Sequence, residues 1–177
     1  MRCSRLCAVW LALVWLCFQS SAHAQDSVDQ ETYLRIANEA FEQLVAGELR
    51  DVNDLIKKHE QLVGLGVAFC RQYANIYPEH AKFLQLVVDS APDMVRMTQE
   101  EIIRNWYRGE LPKQHGVDPR GKDHFEEMSN LMDLVVHPSY VIILLKMYQE
   151  KPDKALIKRM KIELGELITH AETLFKK

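Results

Sequence analysis

Asp133 and His137 stand four residues apart inside one of the most apolar stretches of the chain, LMDLVVHPSYVIILL. On a helix of about 100° per residue, Glu126, Asn130, Asp133 and His137 fall in one narrow polar stripe. A carboxylate one turn from an imidazole orients the ring and fixes its tautomer. That pairing serves acid–base work or metal ligation. A solvated helix face, or a buried pair that only satisfies itself, leaves the same pattern.

A second group surrounds the segment RGELPKQHGVDPRGK, residues 108–122. Its flank supplies Trp106 and Tyr107, its body His115, Arg120 and Lys122, and His124 follows. Three glycines and two prolines mark it as the one substantial loop, and long loops in compact domains are often functional. Cations beside a following helix N-terminus suit a small anionic ligand. His115 and His124 would instead suit a metal. A surface loop with Trp106 packed on the core is the plainer alternative.

A third group, His59, Cys70, Tyr73 and Tyr77, aligns with Val52, Ile56, Val63 and Val67. This reads as core, with Cys70 a small buried hydrophobe. Gly64 and Gly66 read as points of close helix–helix approach. His80 and His170 read as surface positions, and the basic KALIKRMK stretch as a solvated face.

These residues must be positioned by helices. Apolar residues recur at helical spacing nearly end to end, and no strand alternation of any length appears. The spacing predicts helices over 30–46, 51–77, 79–88, from Ser90-Ala91-Pro92 to Tyr107, 123–137, 139–148 and 153–175. Gly47 ends the first. Pro78 and Pro138 interrupt, Pro92 sits in a first turn, and Asp123 with Glu126 makes a capping-box-like start. The expected fold is all-α: a single bundle of five to seven helices, with LVVHPSYVIILL its most buried element.

The N-terminus supplies an address. Arg2 and Arg5 precede a 13-residue apolar run, Leu6 to Phe18, and Ala22-His23-Ala24 is a small-x-small site. Residues 1–24 therefore read as a secretory signal peptide cleaved after Ala24, leaving 25–177 as one helical domain. Its removal takes away two bases and no acid, so the formal charge of −3 becomes −5. Only Cys70 of the four cysteines remains, and no Asn-x-Ser/Thr sequon occurs. A bacterial periplasm, or secretion beyond it, fits better than a disulfide-built extracellular domain. The longest later apolar run, 131–145, contains Asp133, His137 and Pro138, so no transmembrane segment is expected in the mature chain.

No HExxH, CxxCH, Glu-x-x-His, Gly-x-Ser-x-Gly or P-loop occurs. That argues against a zincin, c-type haem, the di-iron bundle motif, a hydrolase elbow and a nucleotide site. The acidic balance argues against nucleic acid. Two readings remain. One is a periplasmic or secreted helical protein that binds a protein partner or a small anionic ligand. The other is a small metal-dependent or acid–base site built from His115, His124, Asp133 and His137.

Overall fold

A computed structural model shows the chain to be all-helical among its described residues, which are 29–46, 49 and 51–176. The leader-like residues 1–24 and Gly47 lie outside them. The chain divides into two compact units, Met1–Tyr33 and Leu34–Lys177. Of the first unit the described residues, 29–33, are helical.

Helix α1 covers residues 29–45 and within the second unit buries Ile36, Ala37, Ala40 and Leu44. Helix α2, Val52–Ile76, starts at Asp51, whose side chain accepts from the Asp54 N–H. A 3-10 turn, Pro78–His80, leads into α3, Ala81–Met94. A short α4, Gln99–Ile102, runs into a π-helical turn, Ile103–Tyr107. Then come α5, Glu110–Gln114, α6, Phe125–Glu150, and α7, Lys154–Phe175.

Helix α6 is the centre of the bundle, with α2, α3 and α7 packed against it. Every residue from Leu134 to Leu145 is buried, as the all-round apolar character of that stretch requires. By length and composition α6 is apolar enough to cross a membrane, yet 89% of its most apolar window is buried inside the protein.

The helix breaks expected at prolines fall elsewhere. Pro138 lies inside an uninterrupted 26-residue α6. Pro138 has no N–H to offer the Leu134 carbonyl, and α2 meets α6 at this point. A Cβ on Gly66 would lie 2.5 Å from the Leu134 oxygen. The helix therefore survives its proline because burial on all sides outweighs one missing bond. Gly66 is thus a point of close approach. Gly64, two residues away, is not one, since a Cβ added there would meet nothing within 4 Å.

Pro92 likewise lies in the last turn of α3 rather than the first turn of a new helix. The buried stripe Phe83, Leu84, Val87, Val88, Ala91 and Met94 runs straight past it. The true restart is Thr98, whose side chain accepts from the Glu101 N–H while the Glu101 carboxylate accepts from the Thr98 N–H. This capping box lay in the sequence as Thr-x-x-Glu.

Asp123 does not cap α6. His124 holds that place with a left-handed φ of 57°, and the Asp123 carbonyl accepts a bond of 2.7 Å from His80 Nε2. The stripe that α2 buries is Leu55, His59, Leu62, Gly66, Phe69 and Cys70; Val63 and Val67 are only half-buried.

Candidate metal centre

Helices α6 and α7 face each other across a polar cluster within the apolar bundle. Helix α6 contributes Asn130, Asp133 and His137; α7 contributes Arg159, Glu163 and His170; the π-helical turn delivers Tyr107. His137 is 3% exposed and Glu163 fully buried.

Glu163 is the anchor. Its Oε2 accepts from His137 Nδ1–H at 2.6 Å and also from the Tyr107 hydroxyl, while Arg159 Nη2 lies 2.7 Å from Oε1. Burial pushes the Glu163 carboxyl upward. The hydrogen bonds from His137 and Tyr107, with the charges of His137 and Arg159, outweigh that and hold it below the usual range. The Arg159 guanidinium also lies 5.6 Å from the centre of the Tyr140 ring. Burial, and then the Glu163 charge, drive the Tyr107 phenol far upward, so it remains a proton donor.

The second imidazole is held the same way. His170 Nδ1–H donates to Asn130 Oδ1 at 2.9 Å. Each histidine thus spends its Nδ1–H on an acceptor behind it, so that loss of the Nε2 proton frees a lone pair on that nitrogen. Both Nε2 atoms face Asp133: His137 at 4.0 Å from Oδ1 and His170 at 3.6 Å from Oδ2. These separations are too long for hydrogen bonds. Donors about 2.0–2.2 Å from one ion stand about 2.8–3.6 Å apart; the three donor atoms here lie within 4.8 Å of one another, so the set must draw together to hold an ion. Burial pushes the Asp133 carboxyl up to about 6, against the pull of the His137 charge and the Ser129 hydroxyl. Burial, and then the charge of His137, lower His170.

The polar stripe read from the sequence is present in three of its four members, since Glu126 is exposed. Asp133 is not the group that hydrogen-bonds His137; Glu163 is. His115, Lys122 and His124 are exposed and stand apart from the cluster. The His124 ring tilts against Tyr77, with centroids 4.5 Å apart.

The 108–122 segment is not one open loop, because α5 lies within it and buries Pro112. It does bring Trp106, Tyr107 and Arg120 to the wall of one cavity of about 100 Å³, closed by Phe83, Phe125 and Met132. Arg120, however, is paired with Asp118 at 2.8 Å. Its guanidinium also packs over Gly109, where φ is +69° and a Cβ would lie 3.0 Å away. Of the two cations expected at the anion site, Arg120 is therefore paired, while Lys122 is exposed.

Glu163, Arg159 and His170 were missed from the sequence, and His80, read as surface, is 3% exposed. A signal for Glu163 existed: it lies among Met160, Leu164 and Leu167 on the buried stripe of α7, as Asp133 does on α6. The lysines and acids around it made the segment look solvated. Comparisons with protein-family models, with curated proteins and with solved structures found no match for this chain.

Proposed function

We propose that the protein is an exported, periplasmic metal-binding protein whose site is Asp133, His137 and His170. One observation carries the reading: two imidazoles, each with Nδ1–H held by an acceptor, direct their Nε2 lone pairs toward one carboxylate. A buried network that existed only for stability would gain from direct His–Asp hydrogen bonds. Here the carboxylate stands off from both rings by 3.6–4.0 Å. Two nitrogens and one carboxylate suit zinc, iron(II) and similar borderline divalent ions. His170 is 33% exposed at its side chain, which gives an ion a route in from solvent. The leader-like N-terminus and the single cysteine left after it support the compartment.

The test is equilibrium dialysis of untagged protein, without its leader, against zinc and cobalt. The expected result is one ion per chain in the parent and in His115→Ala and His124→Ala. His137→Ala and His170→Ala should bind none. Binding by the latter pair, or loss in the former pair, would move the site back to the 115–124 region. A parent that binds neither ion would sink the reading.

A further inference from the structure

The arrangement of the two helices is nearly symmetrical. Helix α6 carries a carboxylate four residues before a histidine, Asp133 and His137. Helix α7 carries the same pattern in Glu166 and His170. Residues four apart share a helix face. The helices run antiparallel, so Asp133 meets His170 and His137 meets the Glu163–Glu166 turn.

The donor atoms of His137, Glu163 and Glu166 lie within 4.8 Å of one another, as do those of Asp133, His137 and His170. The two groups share His137. Only one carboxylate of the second group is free to move. Both oxygens of Glu163 are engaged, by Tyr107 and His137 on one side and Arg159 on the other. Glu166 is exposed, and among the described residues it has no cationic partner.

We infer that Glu166 is the fourth protein ligand of the site, swinging from solvent onto the ion and closing a shell of two imidazoles and two carboxylates. The inference rests on the metal-binding reading above. It adds a property: a site with four protein ligands is closed and holds its ion, whereas three leave a position for water. Glu166 is then the movable member that admits the ion and retains it. The three buried or half-buried ligands are fixed by their outer partners.

The experiment compares parent, Glu166→Gln and Glu172→Gln, the last an exposed α7 acid paired with Lys176. Zinc affinity is read by competition with a chromophoric chelator, and coordination by the visible absorption of the cobalt(II) form. Helix content by circular dichroism confirms folding; Glu166 is exposed, so all three should fold alike. The parent cobalt form should show the intense bands of four-coordinate cobalt. Glu166→Gln should weaken zinc binding by about 10- to 100-fold, the range lost even with an outer partner of a ligand. Its cobalt bands should also change in shape or fade. Glu172→Gln should match the parent. Parent-like affinity and spectrum in Glu166→Gln would overturn the fourth ligand and leave the three-ligand site standing. No binding by the parent would overturn both.

Discussion

At the scale of single residues, the chemistry of this chain follows from where its buried polar atoms find partners. His59 shows the cost of lacking one. It is fully buried, and its Nδ1–H donates to the Leu55 carbonyl at 2.7 Å while Nε2 has no partner. Burial lowers its pKa from 6.5 to about 4. The folded state thus binds its proton less readily than the unfolded chain. Its contribution to stability is whole above pH 6.5 and drains away as pH falls toward 4. That amounts to about 3 kcal/mol across the window. Chemical denaturation at stepped pH should show a shallower acid loss in His59→Gln than in the parent; equal slopes would remove His59 as the cause.

Glu163 is the opposite case, a buried charge with two hydrogen-bond donors, Tyr107 and His137, and an ion-pair partner, Arg159. Glu163→Ala strands the His137 and Tyr107 donors and should cost about 3–5 kcal/mol in urea denaturation. A cost below about 1 kcal/mol would mean that the network relaxes onto other acceptors. Asp133 and His137 were legible in the sequence because they interrupt an apolar run. Glu163 was not, because the lysines around it mask the same interruption. His170 was hidden by its half-exposed place at the end of the cluster.

At the scale of elements, the fold was legible wherever apolar spacing was long. It was misread wherever a single proline or acid was given authority over that spacing. The bundle of helices and the buried heart of α6 follow from periodicity alone. Pro92 and Pro138 did not break their helices: Pro138 is buried within α6, and the buried stripe of α3 runs past the exposed Pro92, so burial of the helix outweighs one lost hydrogen bond. The capping residues were misplaced too: Thr98 caps, and Asp123 does not.

Two glycines of α2 make a paired test of the helix contact. Gly66→Ala drives a methyl into the Leu134 carbonyl and should destabilise by about 1–3 kcal/mol. Gly64→Ala enters open space on the same helix and should stabilise by about 0.5–1 kcal/mol. Thermal melts of both would contradict the packing if the two substitutions moved stability the same way. Thr98→Ala should cost about 1 kcal/mol by removing the cap of α4.

At the scale of the whole molecule, the proposed ion would join α6 and α7. An ion that binds only the folded chain stabilises it by about 2.7 kcal/mol when present at about 100 times its Kd. The melting temperature of the parent should therefore rise with added zinc, and that of His170→Ala should not. The sequence pointed to a helical protein with a metal or anion site near residues 106–137. The metal site proposed above lies on α6 and α7 and keeps only Asp133 and His137 from that reading. Of the two basic residues expected to hold an anion, Arg120 and Lys122, the first is paired with Asp118.

The most direct measurement is anomalous X-ray scattering from crystals of the untagged protein grown with zinc, recorded on both sides of the zinc edge. One strong anomalous peak per chain is expected, within about 2.0–2.2 Å of Asp133, His137 Nε2 and His170 Nε2. The Nδ1 atoms of the two histidines should remain on Glu163 and Asn130. A well-occupied peak elsewhere, or no peak between α6 and α7 at saturating zinc, would contradict the metal centre.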